Sequence, residues 1–461
     1  MTDTLRFPDG FRWGTSTSAY QVEGSVRADG KGESIWDRFA AVPGAIENGD
    51  TGDVACDQYR RWAEDADLMA GLGLNAHRFS LSWPRILPDG GAGRVEKRGL
   101  DHYDRVIDGL LERGIEPLVT LYHWDLPQPL QERGGWRARE TAERFAEYAA
   151  VCFEAYGDRV RDWVTINEPW VIGLLGHQLG LHAPGEKDLR GSAEAMHHLL
   201  LAHGLAVREL RSGGARADAR AGIAYSLWPH TPATDSAADH EAAHGSDGYT
   251  NRWFLDPVHG RGYPADMRAH WERAIGPLDF VRDGDEDTIA AGSDFIGVNY
   301  YTRRIVRAGA GDGPWPWKVE GGRADVPRTD LNWEILPDEL ESLLVRLHEE
   351  YSGVPLMVTE NGGVFNDQPG PDGAVHDDRR VDFLHRHLAA VHAAIGAGAP
   401  VEGYYHWSLI DNFEWAMGYR PRFGLVHVDR ETQRRTVKDS GLWYGRAAGR
   451  GGIPAVPGSV G

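Results

Sequence analysis

Eight short apolar runs, recurring along the chain with helix-like segments between them, limit its fold more than any other feature. They occupy residues 11–17, 74–82, 116–123, 162–167, 222–227, 294–301, 355–360 and 402–408. Apolar residues at helical spacing fill 57–72, 100–113, 141–156, 193–210, 337–351 and 381–395. Near-continuous apolar strands alternating with amphipathic helices imply a parallel sheet covered on its outer face. Eight such units favour a closed (β/α)8 TIM barrel over an open doubly wound sheet. Two stretches, 230–282 and 308–332, are rich in Gly, Pro, Asp and Trp and read as long loops on the C-terminal rim, where they would shape a pocket. Residues 447–461 read as a poorly ordered Gly- and Pro-rich tail, which leaves 1–446 as one catalytic barrel domain. No linker divides the chain, and no repeat appears beyond the βα unit.

Composition narrows the partners. A single barrel can account for 461 residues. A hydrophobic share of 41% with 26% charged residues fits a globular chain and excludes disorder, collagen and coiled coil. The net charge of −20 repels phosphate backbones and anionic lipid, so neither nucleic acid nor an acidic membrane is an expected partner. Cys56 and Cys152 are too few for a disulfide framework and have no metal-ligand spacing, which points to a reducing compartment. Residues 1–12 lack a basic stretch followed by an apolar one, and no run approaches the ~18 apolar residues of a membrane span. A soluble cytoplasmic protein is therefore expected. Seventeen tryptophans, several beside Asn, His, Glu or Asp, suit core packing, but equally a site for a molecule with apolar faces and hydroxyl edges, such as a sugar.

On a parallel barrel, catalytic groups come from the C-terminal ends of the strands. The fourth run ends Thr165-Ile166-Asn167-Glu168-Pro169 and the seventh Val358-Thr359-Glu360-Asn361-Gly362, so each delivers a glutamate to the same end. Taken singly, the first could be a helix cap and the second a turn. As a pair of partly desolvated carboxylates, they match what glycoside hydrolysis needs: one group protonates the leaving oxygen and the other attacks the anomeric carbon or activates water.

Six ordered motifs extend this reading over most of the chain. They are FRWGTSTSAYQVEG (11–24), RFSLSWPR (78–85), YHWDLP (122–127), TINEP (165–169), VTENG (358–362) and GYYHWSLIDNFEW (403–415). Together they resemble glycoside hydrolase family 1, the β-glucosidase family. The resemblance implies a retaining double displacement, with Glu168 as general acid/base and Glu360 as nucleophile, and with no cofactor or metal. Arg78 and Tyr301 match the positions that keep the nucleophile ionised, and Asn299, two residues from Tyr301, shares its strand face. Gln21, His123, Trp124, Asn167, Trp407, Glu414 and Trp415 match contacts to the first sugar. Trp170, His182, Trp333 and Phe423 match the pocket rim. Trp315 and Trp317 fall in the variable 308–332 stretch, where they either touch the leaving group or pack. The implied substrate is a small oligosaccharide or an aryl or alkyl β-glucoside, with galactosyl or fucosyl units as further candidates. Glu414 as a carboxylate would repel a 6-phosphosugar, and Glu168 departs from the glutamine of the thioglucosidase branch. A transglycosylase using the same residues and a catalytically inactive sugar-binding barrel are the alternatives.

One motif points elsewhere. His240-Glu241-Ala242-Ala243-His244 fits HExxH, in which two histidines one helical turn apart hold zinc beside a general base. Its flanks are polar and glycine-rich, unlike a buried zinc helix, and no third ligand follows. No G-x-S-x-G elbow, P-loop or dinucleotide fingerprint is present.

Overall fold

The computed structural model describes residues 4–311 and 313–455. Its centre is a closed barrel of eight parallel strands, one from each apolar run. They are β1 (Arg12–Ser16), β2 (Ala76–Ser80), β3 (Glu116–Tyr122), β4 (Asp162–Asn167), β5 (Arg220–Ser226), β6 (Phe295–Tyr300), β7 (Leu356–Asn361) and β8 (Val401–Trp407). Neighbours in sequence pair around the ring, and β8 closes it on β1 with Gly403 opposite Arg12 and Trp407 opposite Ser16. All six expected helices form around it: α1 (Gln58–Gly71), α2 (Lys97–Glu112), α3 (Arg139–Tyr156), α4 (Leu189–Ser212), and, after a short α5 (Asp285–Ile289), α6 (Pro337–Glu350) and α7 (Asp378–Gly396). Among the described residues, no helix is long and apolar enough to cross a membrane.

Side-chain size decides how the barrel interior fills. Ala76, Leu118, Val164, Ala224, Phe295, Met357 and Tyr405, one from each of β2 to β8, form a buried cluster. β1 contributes Gly14 because the Tyr405 ring takes the space: a Cβ there would lie 2.4 Å from Tyr405 Cδ1. At the strand starts, Arg12 pairs with Glu116 (2.8 Å), Asp162 (3.1 Å) and Glu402 (3.2 Å). Arg220 joins Asp162 (2.6 Å) and Glu402 (2.8 Å). This charged ring closes the N-terminal mouth and leaves the strand C-termini as the open end.

Two expectations about irregular structure are overturned. The stretch 230–282 is not a long loop: it holds a strand (His230–Pro232), helices at Ala237–Asp247, Trp253–Val258 and Ala265–Ile275, and a π-helical segment at Gly248–Arg252. The stretch 308–332 contains a strand, Trp317–Glu320, paired antiparallel with Arg304–Ala308, which in turn pairs with His230–Pro232 to make a three-stranded sheet. The Ala237–Asp247 helix buries Ala242, Ala243, Gly245 and Ser246 and shows no apolar stripe, while Pro257 inside the second helix and Pro264 capping the third read from sequence as loop. Nor is 447–454 a loose tail. A final helix α8 (Asp439–Arg450) and a strand, Gly452–Pro454, pair the chain end with Thr4–Arg6, burying Ala447 and Ile453. The rest of the expected tail, 456–461, lies outside the described residues.

The HExxH stretch, part of the expected 230–282 loop, lies on the Ala237–Asp247 helix, capped by Ser236. Ala242 and Ala243 face inward while His240, Glu241 and His244 are exposed, and Arg252 Nη2 lies 3.1 Å from His244 Nε2.

Candidate active site

The C-terminal ends of β3, β4, β5, β6, β7 and β8 converge on one cavity of about 320 Å³. β4 stops at Asn167, and Glu168 follows in the left-handed region (φ 51°, ψ 65°), its N–H donating to Ala224 O at 2.7 Å. Trp124 (φ 82°) and Trp415 (φ 51°) adopt the same uncommon backbone, so three side chains of this cavity are presented by conformations non-glycine residues rarely hold.

A single network joins the two glutamates. Arg78 Nη1 donates to Glu360 Oε1 at 2.5 Å, and Tyr301 Oη donates to Glu360 Oε2 at 2.7 Å. Asn299 Nδ2 donates to Glu168 Oε1 and to Asn167 Oδ1, both at 3.0 Å, and its amide also acts on Glu360. Arg78 Nη2 holds Asn167 Oδ1 at 2.6 Å. Thr359 Oγ1 orients Asn299 by donating to its Oδ1 at 2.7 Å, and Arg78 Nε is anchored on Thr120 Oγ1 at 3.1 Å.

The two carboxyls experience different surroundings. Burial first, and then the Glu360 charge, push Glu168 up to about 8. Burial raises Glu360 as well, but the Arg78 cation and the Tyr301 hydroxyl oppose it directly. Of the pair, Glu168 therefore takes the proton and Glu360 keeps the charge.

Around these lie the other expected contacts. His123, Trp124, Trp170, His182, Trp333, Trp407, Glu414, Trp415 and Phe423 all line the cavity. Gln21 and Asn167 sit behind that lining. Gln21 donates to Phe413 O (2.9 Å), Asn412 Oδ1 (3.1 Å) and Glu414 Oε2 (3.3 Å), so it positions Glu414. Asn167 Nδ2 lies 3.1 Å from His123 Nε2. Burial, and then Arg78, keep His123 neutral, and an Nε2 that accepts leaves its proton on Nδ1, which is buried with no partner among the described residues. Trp315 and Trp317 are absent from this lining; they stack on each other at 5.6 Å and border a neighbouring cleft.

Burial, and then the Glu360 charge, push Glu414 up to about 8. The only Lys or Arg among the described lining residues is Arg304. The sequence reading missed Arg304, as it did Trp228 and the Leu174-Leu175 pair, which a π-helical segment (Ile172–Gln178) turns toward the cavity.

A family model, Glycosyl hydrolase family 1, matches residues 3–452. The chain belongs to glycosyl hydrolase family 1. Beta-glucosidase A of Thermotoga maritima is 46% identical to this family 1 glycosidase over 97% of the chain and 99% of its own length. A bifunctional beta-D-glucosidase/beta-D-fucosidase of Bifidobacterium breve is 45% identical over 96% and 98%. The solved structure of the Thermotoga maritima beta-glucosidase in complex with glucoimidazole superposes with a TM-score of 0.92 at 45% identity, covering 97% of this chain and all of that one. This chain is thus a retaining glycoside hydrolase on a TIM barrel.

Proposed function

We propose that this family 1 enzyme is an exo-acting β-glucosidase in which Glu168 is the acid/base and Glu360 the nucleophile. The observation that carries the assignment is the asymmetry of the network: a cation and a phenol act on Glu360, whereas Glu168 is buried beside a like charge.

In the first step Glu168 gives its proton to the glycosidic oxygen as Glu360 attacks the anomeric carbon from the other face. The bond to the aglycone breaks and a glycosyl ester on Glu360 forms. Arg78 and Tyr301 hold the attacking carboxylate until its charge is spent. In the second step the Glu168 carboxylate takes a proton from water, whose oxygen displaces Glu360 and restores the β configuration. Trp407 and Trp415 offer apolar area to the sugar's C–H face, while Glu414 and the His123 Nδ1 proton serve its hydroxyls. The intact pair of glutamates and Tyr301 argue against a barrel that only binds sugar. The similarity to a glucosidase/fucosidase supports glucosyl units with fucosyl as a second substrate.

Proton NMR of a fresh digest of 4-nitrophenyl β-D-glucoside tests the proposal. β-Glucose should appear first and mutarotate slowly; α-glucose as the initial product, or no cleavage, contradicts it.

A further inference from the structure

Arg304 is the one lining cation of the described residues, and the catalytic network does not use it. It leads the strand Arg304–Ala308, four residues beyond the end of β6. Its guanidinium lies over two indoles at once, 4.6 Å from the Trp170 centroid and 4.7 Å from that of Trp228. Among the described residues no carboxylate pairs with it and no side chain or carbonyl accepts from either terminal nitrogen, and its Nε is buried without a partner. Adjacent Arg303 is by contrast fixed by Glu334 (3.0 Å) and Glu339 (3.1 Å). Burial lowers Arg304 to about 10, so it still holds its proton at neutral pH.

An arginine normally finds a carboxylate partner, and leaving its donors unmet in a half-buried site costs stability. The cost is explained if a ligand supplies the acceptor. Arg304 borders both the sugar cavity and the cleft of Trp170, Tyr249, Trp315 and Trp317 beyond it. Its charge acts on Tyr249 and His230 and is not among the leading influences on Glu168 or Glu360. We propose that Arg304 makes the leaving-group half of the pocket a site for aglycones that carry a carboxylate, clamped through the free guanidinium nitrogens while the flanking indoles hold the aglycone's apolar body. The proposal rests on the β-glucosidase reading of the neighbouring sugar cavity.

Two pairs of substrates test it: 4-carboxyphenyl against 4-carbamoylphenyl β-D-glucoside, and β-D-glucosyl-(1→4)-glucuronic acid against cellobiose. For each pair the ratio of kcat/KM, acid over neutral, is compared between wild type and Arg304→Gln. The ratio should fall about tenfold in the variant, whatever happens to the two absolute values, and Arg304→Lys should keep part of it. A fall in the aryl pair alone assigns the site to aromatic acids, and a fall in the uronate pair alone to acidic sugars. An unchanged ratio in both pairs overturns the proposal, while failure of every neutral substrate would instead overturn the glucosidase reading. Should Arg304→Gln not fold, wild type alone decides. The acid-over-neutral ratio should drop as salt rises from low to high ionic strength, and a ratio that rises with salt contradicts an attractive cation.

Discussion

Glu168 holds its proton up to about pH 8 because burial and the Glu360 charge both penalise its ionised form. Since it must be protonated to release the aglycone, kcat/KM should fall as pH rises through about 8. Glu168→Gln should lose that limb and slow poor leaving groups far more than activated aryl glucosides. The same shift has a stability consequence. A carboxyl whose folded pKa exceeds its unfolded value of about 4.3 binds more protons in the folded chain between those limits, so it lowers stability as pH rises across the window. Glu168→Gln should therefore melt a few degrees higher than wild type near pH 8 and show no gain near pH 4; a lower Tm at pH 8 would contradict the burial argument. At this scale the sequence shows which residue types stand at strand ends, and hence the two glutamates. Which neighbour each meets is a tertiary matter: nothing local distinguishes Arg303, tied to Glu334, from Arg304 beside two indoles.

Strands and helices of the barrel were legible because each repeats one pattern: an apolar run, then a stripe at helical spacing. β4 falls on the expected residues without a shift. The Ala237–Asp247 helix was not, since its inner face is built of alanine, glycine and serine, whose burial leaves no hydrophobic period to read. The strand at Gly452–Pro454 escaped notice for another reason: its partner, Thr4–Arg6, lies at the opposite end of the sequence. Element packing also makes a sharp prediction at Gly14, where a methyl would meet the Tyr405 ring inside a closed cluster. Gly14→Ala should cost about 1–3 kcal/mol by overpacking, and Gly14→Ala with Tyr405→Leu should recover most of it in denaturant unfolding. No recovery would show that the cost lies in the strand backbone and not in the ring.

For the whole molecule, the barrel separates two tasks along its axis. The strand starts hold a ring of five paired charges, and the strand ends hold the chemistry. All steps of the proposed reaction use side chains of this chain, so turnover of 4-nitrophenyl β-D-glucoside should be unchanged by EDTA, and a loss restored by zinc would redirect attention to the His240–His244 helix. The order of the six motifs made the family legible before any coordinates. Of the surroundings proposed for the leaving group, Trp170 and Trp333 were legible with the motifs, whereas Trp228 and Arg304 were not, because they share no local pattern with them. The most direct test of the central claim is Glu360→Ala supplied with sodium azide. Turnover should drop on the order of 10⁴- to 10⁶-fold and return with azide as the α-glucosyl azide. Recovery of a β-product, or substantial activity without azide, would show that Glu360 is not the group that attacks the sugar.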